Sequence, residues 1–401
     1  MPSSFVVQPA SRTQNITYAV RDVVVLADEI KKSGKEMLYL NIGDPNLFDF
    51  VTPPHIIAAA HQAMLRNMNG YSASSGIQEA RDAIANEATG KGFKNIRDVF
   101  VTTGASEAIE VLLTALAEEG DNVLTPSPGY PLYTAVLAKL KVRENPYFLD
   151  EGNDWQPNLE DIAEKIDSRT RAIVLINPNN PTGSSYDRQT LEGILRLARE
   201  HDLMIFADEI YNKLVFDGKK HISIAALDSE LPIVTFNGLS KAYLVPGFRI
   251  GWGIITGNQK SVAGLIEAMN KILRARLCAN HPLQYAIKPA LEGDQSHLAQ
   301  AVHKLTRRRD LTVQALRAIP GISCVSPGGA FYAFPRLTIR ESDEDFVKDL
   351  LRATGVVVVH GSGFGQVPGT KHFRVVFLPP EEILTKAFER LGNFFASYPG
   401  R

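Results

Sequence analysis

The sequence predicts an α/β chain, with a buried, mostly parallel sheet flanked by helices and a smaller α+β region following it. Three observations carry this prediction. From about residue 98, short β-branched runs alternate with longer helical patterns, as βαβ units require. After residue 258 the alternation stops. At 401 residues the chain exceeds one small core and suits a large unit joined to a smaller one, or two of similar size.

In order along the chain, DVFVTTGA leads into the helical pattern SEAIEVLLTALAEEG, and RAIVLINP into DRQTLEGILRLAREHD. LMIFADEI, PIVTFNG and RIGWGIITG follow as further strands. Near-continuous apolar runs of this kind belong to strands covered on both faces. Beyond residue 258, SVAGLIEAMNKILRARL and LAQAVHKLTRRRDLTVQALRAI read as helices. GISCVSPGGAFYAFP, GVVVVHG and HFRVVFLP then read as strands with helices between them. Strands that no longer alternate with helices indicate a second, α+β region, its boundary in or near residues 280–300. The run Arg307, Arg308 and Arg309 reads as a solvated helix face. The sequence has no internal repeat and no low-complexity linker.

Lysine and arginine number 43 against 44 acidic residues, a formal net charge of -1. That balance gives no field for nucleic acid or an anionic membrane, so a small-molecule enzyme is expected. Cys278 and Cys324 are the only cysteines and lack CxxC spacing. Buried packing thiols in a reducing compartment are the expectation. The first residues, MPSSFVVQPASRTQ, hold no basic stretch leading into an apolar one, and no run approaches 18 apolar residues. A soluble cytoplasmic protein is therefore expected. Nine scattered histidines form no ligand cluster, and no metal is expected.

In such sheets ligands bind at the carboxyl ends of the strands, and the unusual residues fall there. Gly104, Ala105 and Ser106 open a helix directly after a strand, where free N–H groups and the helix dipole favour a phosphate. An ordinary N-cap accounts for the same letters. In NPNNPTG, Asn180 precedes a proline and is held extended. Its amide can donate to an anionic ligand oxygen, or the segment is a plain turn. Asp208 ends an apolar strand, with Tyr211 three residues on. A carboxylate there requires a cation or several donors, which a salt bridge or helix cap also supplies.

In SKAYLVPGFRIG, Lys241 follows a buried run and Arg249 comes eight residues later. A desolvated lysine near other cations becomes a nucleophilic amine able to form a Schiff base, and a planar guanidinium holds a phosphate. A surface lysine with a snorkelling stem is the plainer alternative. Together these residues match the needs of pyridoxal 5'-phosphate, which are an amine for the aldehyde, a carboxylate for the ring nitrogen, donors for the phenolate and an anion site.

With NPNNPTG, ADEIY and SKAYLVPGFRIG in this order and spacing, nearly the whole chain resembles the fold-type I aminotransferases of class I and II. The resemblance implies a large domain with a mostly parallel seven-stranded sheet over residues 51–285 and a smaller domain over 286–401. Residues 1–50 are then a segment that packs with the small domain and the active site. It implies that Lys241 holds the cofactor, Asp208 pairs with the pyridine nitrogen, and Asn180 and Tyr211 donate to the ring oxygen. Gly104, Ala105, Ser106, Ser240 and Arg249 match the phosphate site, and Tyr130 in SPGYPLY matches the aromatic residue that stacks on the ring. Tyr71 in NGYSASSG matches a tyrosine that reaches the neighbouring subunit's phosphate, which implies a homodimer. Arg374 in HFRVVFLP matches the arginine that grips the substrate α-carboxylate, and Gly43 in NIGDPN the glycine that lets backbone approach it. Without the family, Tyr130 is a turn tyrosine, Tyr71 a core tyrosine, Arg374 a charge with a local partner and Gly43 a turn glycine.

ITYAVRDVV, FNGLSK, RLCANHPLQYAI and PGGAFYAFP are similar to segments of the alanine (glutamate-pyruvate) transaminases. That likeness implies an amino acid and a 2-oxo acid as substrates, and an N-terminal segment whose Tyr18 and Arg21 face the site, Arg21 toward a distal carboxylate. A surface arginine is the alternative for Arg21. Aspartate, aromatic or diaminopimelate transamination and a lyase on the same cofactor remain open. HGSGFG places glycines at 361, 363 and 365, which is not the GxGxxG spacing of a nicotinamide enzyme, and no βαβ unit follows. No added basic domain marks a DNA-binding regulator.

Overall fold

The computed structural model describes residues 6–14, 16 and 19–398, the side chains of 19–22 excepted. A two-residue strand, β1 (Leu38–Tyr39), precedes the main sheet. That sheet is built from β2 (Ile96–Thr103), β3 (Asn122–Ser127), β4 (Arg143–Asp150), β5 (Gln156–Pro157), β6 (Thr170–Ile176), β7 (Met204–Asp208), β8 (Ile233–Gly238) and β9 (Ile250–Thr256). Its spatial order is β2-β9-β8-β7-β6-β3-β4-β5. Seven of these are full strands, as expected. The eighth is a two-residue antiparallel edge, Leu149 opposite Pro157. Strands β8, β7, β6, β3 and β4 pair in parallel, whereas β9 is antiparallel to both its neighbours.

The side-chain period of two divides this sheet between two apolar layers. Ile173 and Leu175 of β6, and Ile205 and Ala207 of β7, face one core with the helix Arg188–Glu200. Val174, Ile176, Met204 and Phe206 face the other, with the helices Ala105–Leu116, Pro131–Leu140 and Gln259–Arg276. Helices on both faces leave only the strand ends open to a ligand.

The remaining strands are short: β10 (Ile322–Ser323), β11 (Tyr332–Ala333), β12 (Arg336–Leu337), β13 (Val356–Val357), β14 (Val359–His360) and β15 (Phe373–Val376). They form a two-stranded β10-β12 sheet, a β11-β15-β14 sheet and the pair β1-β13. Leu40 N–H donates to Val357 and Val376 N–H donates to Leu40, both at 2.9 Å. Residues 40–43 are thereby laid beside β15, which carries Arg374. Among the described residues no helix is long and apolar enough to cross a membrane.

Two readings need correction. Of the run Arg307, Arg308 and Arg309 in the helix Ser296–Arg317, only Arg307 is solvated; the side chains of Arg308 and Arg309 are 1% and 6% exposed. Arg308 reaches Asp49 at 2.8 Å, and Arg309 grips Asp217 through two bonds of 2.7 and 2.9 Å. Their long stems pass through the interior while the planar forks meet carboxylates nearer the surface. Of the cysteines, Cys324 is buried, and burial pushes its thiol up to about 12. Cys278 is only half-buried, and its sulfur accepts from Ser72 N–H at 3.5 Å.

Candidate active site

One cavity of about 370 Å³ opens where the strand ends meet the 40–44 segment and β15. Strand β7 delivers Asp208, β6 runs out into the turn carrying Asn180, and β8 leads to Ser240 and Lys241. Because β9 runs against its neighbours, its start rather than its end lies at this edge, which brings Arg249 in. Ala105, Ser106, Tyr130, Tyr211, Gly43 and Arg374 complete the expected lining.

The amine of Lys241 donates to Gly43 O at 2.8 Å and lies 5.7 Å from the Phe331 ring centroid. Burial lowers its pKa to about 8, with the charges of Arg249 and Arg374 acting the same way and those of Asp44 and Asp208 opposing. At pH 7 about a tenth of this amine is therefore unprotonated, far more than of a surface lysine. Asp208 is 4% exposed, and among the described residues its Oδ1 accepts only a long bond, 3.3 Å, from Ile210 N–H. Burial raises its pKa to about 7. A carboxylate so placed favours its proton until a cation is set against it.

Arg374 is 3% exposed and donates to Asn180 Oδ1 at 3.0 Å and to Asn41 O at 2.7 Å. Since a guanidinium only donates, Asn180 Oδ1 is the acceptor and its Nδ2 carries the remaining N–H donors. Tyr211 is buried and its hydroxyl shares a 2.8 Å bond with that of Tyr332.

Gly104 caps the helix Ala105–Leu116 at φ 80°, and a Cβ there would lie 2.4 Å from Nη2 of Arg249. A Cβ on Gly251 would lie 2.1 Å from Ala105 N. These two glycines let a guanidinium and a helix N-terminus close on one small space, a ready anion cradle. Gly104→Ala is expected to weaken cofactor binding by about tenfold or more while the fold survives. Titration of the apoenzyme with pyridoxal phosphate, followed by absorbance, measures this.

Sequence reading missed several contributors. Asp44 lines the cavity and biases Lys241, and Tyr332 bonds Tyr211 and packs on Arg374. Val24 and Ile42 supply apolar wall. The aromatic run GAFYAF was the one available signal for Tyr332, and it reads equally as core. Tyr71 is not in this cavity; it is 83% exposed. Tyr18 and the side chain of Arg21 lie outside the described residues.

The model of the family "Aminotransferase class I and II" matches residues 35–391. The chain belongs to this family. An alanine aminotransferase of Mycobacterium tuberculosis is 42% identical to this aminotransferase over 97% of the chain and 92% of its own length. The glutamate-pyruvate aminotransferase AlaA of Escherichia coli is 38% identical over 98% of both. Among solved structures, the alanine aminotransferase of Pyrococcus furiosus superposes with a TM-score of 0.95 at 40% identity, covering 98% of this chain and all of that one. The cofactor of this aminotransferase is pyridoxal 5'-phosphate. The residues present fit it: a buried carboxyl short of a cation, an amine of lowered pKa and an anion cradle face one cavity.

Proposed function

We propose that this aminotransferase moves the amino group of alanine to 2-oxoglutarate, by a ping-pong cycle that returns pyruvate and glutamate. The observation that carries the reading is the convergence of Lys241, Asp208 and Arg374 on one cavity, in a chain about 40% identical to alanine aminotransferases over nearly its whole length.

Pyridoxal phosphate supplies the aldehyde that takes up the amino group and the electron-poor ring that accepts the electron pair released at Cα. The chain's own residues do the rest. Arg374 holds the substrate carboxylate through its fork and so orients the Cα–H bond. Lys241 Nζ would take the α-proton as a general base and, as a general acid, hand it to the carbon that came from the aldehyde. Asp208 would keep a proton on the ring nitrogen, and Asn180 Nδ2 and the Tyr211 hydroxyl would donate to the ring oxygen. Ala105 and Ser106 N–H, Ser240 and Arg249 would hold the phosphate, with Gly104 shaping the approach, and Tyr130 would lie against the ring. Gly43 leaves room for the carboxylate, since a Cβ there would lie 2.5 Å from the Tyr332 hydroxyl.

The same reading divides the chain into an N-terminal segment (1–50), a large domain (51–285) and a small domain (286–401), and makes it a cytoplasmic homodimer. Tyr71 and Leu277 support the dimer. Both are exposed, at 83% and 53%, and the Ser72–Cys278 bond sets them on one surface, where a partner copy would receive Tyr71.

Steady-state kinetics with a panel of amino donors and 2-oxoglutarate tests the substrate. Alanine is expected to give the highest kcat/KM, and rates far higher on aspartate or an aromatic donor would remove the assignment. The lowered pKa of Lys241 gives a second expectation. Below about pH 8 the amine of the apoenzyme is mostly protonated, so capture of the cofactor slows about tenfold per unit of falling pH, and it levels off above. Stopped-flow absorbance from about pH 6 to about pH 11 reads this directly; a midpoint near the ordinary lysine value, about 10.4, would place the amine in water.

A further inference from the structure

The HGSGFG segment, which fits no nucleotide-binding pattern, has a clear place in the structure. It lies between β14 and β15, and Phe364 within it is 5% exposed. The guanidinium carbon of Arg374 lies 4.6 Å from the Phe364 ring centroid and 4.7 Å from that of Tyr332. A planar cation over ring faces loses that attraction when it turns, so the rings limit rotation of the fork.

The loop is anchored at several points. The carboxylate of Asp343, itself buried, accepts from Ser362 N–H and Oγ–H at 2.8 Å each and from Gln366 Nε2 at 2.9 Å. Gln366 Oε1, which can only accept, takes the Nδ1 proton of His372 at 2.9 Å. Gly361 N–H donates to His372 O at 2.8 Å, two residues before Arg374. On the other side Gly129 N–H donates to Phe364 O at 2.8 Å, beside Tyr130. Two of the glycines serve this packing. A Cβ on Gly361 would lie 2.7 Å from Gln366 Oε1, and one on Gly365, at φ 75°, 2.7 Å from Ser127 Oγ.

We propose that this loop is a positioning element, holding the Phe364 ring on the Arg374 guanidinium and so fixing the plane in which that arginine receives the substrate carboxylate. The proposal rests on the carboxylate reading of Arg374 given above. Phe364 does not itself line the cofactor cavity; it acts through Arg374, which does.

The test is steady-state kinetics of the holoenzyme carrying Phe364→Leu and Phe364→Tyr, with cofactor absorbance recorded alongside. Phe364→Leu keeps apolar bulk without the ring and is expected to raise KM for both amino donor and oxo acid about tenfold. Its kcat and cofactor spectrum stay within twofold of the parent, and Phe364→Tyr restores KM. Unchanged KM in Phe364→Leu overturns the proposal, as does a loss carried by kcat or by cofactor release. Should Phe364→Leu fail to fold, Ser362→Ala loosens the same loop and is expected to raise KM about threefold; no change there overturns the proposal equally. Arg374→Lys is measured in the same series. An unchanged KM in that variant removes the carboxylate reading and the proposal together, whereas a raised KM there with unaltered loop variants removes the proposal alone.

Discussion

Lys241→Ala is expected to lower kcat by at least about four orders of magnitude, with the fold intact. General acid–base catalysis alone accounts for about 10² to 10⁴ in rate, and on the proposed reading the same nitrogen also anchors the cofactor. The fold should survive because this amine is a burden to it. Burial lowers its pKa to about 8, so the folded chain disfavours the charged form that the unfolded chain carries up to about 10.4. Between those two values the unfolded state binds more protons, and stability rises with pH. Removing the group removes that dependence, which urea unfolding at pH 8 and pH 10 detects in the apoenzyme. Turnover of Lys241→Ala within a hundredfold of the parent would dismiss the amine as the proton carrier.

The second large effect is expected at Asp208. Asp208→Asn keeps the shape at the end of β7 and the bond from Ile210 N–H, and removes only the charge. Breaking a buried ion pair by removing one partner costs about 3–5 kcal/mol. If that cost falls on the protonated ring in the transition state, kcat drops by roughly three orders of magnitude. Cofactor affinity should weaken in parallel, and the absorbance of the bound cofactor should shift with loss of the ring proton. A parent-like rate and spectrum would make this carboxyl structural. The charge-bearing alternative, Asp208→Glu, retains the anion but overfills a site already fully buried, and activity between the two is expected.

Much of the site could be read before the fold was seen, for one physical reason. Charged and amide groups rarely end long apolar runs unless something satisfies them, so Asp208, Asn180 and Lys241 stood out. Phe364 and Tyr332 did not, because an aromatic residue in an apolar stretch reads first as core, and both are indeed nearly buried. Arg308 and Arg309 misled for the converse reason. Three successive arginines look solvated as letters, yet Asp49 and Asp217, each more than 90 residues distant, allow two of them inside.

Five of the seven full strands, their mostly parallel pairing and the polar groups at their ends followed from periodicity and turn chemistry, and the count of seven from the family motifs, because all of these are local or ordered along the chain. That Arg374 reaches the backbone of Asn41 across 333 residues was decided only by tertiary structure. So was the reversal of β9 that turns Arg249 toward the same cavity. Both depend on how the sheets pack and pair, and no short-range pattern encodes the distance between segments that meet only once the chain has closed on itself.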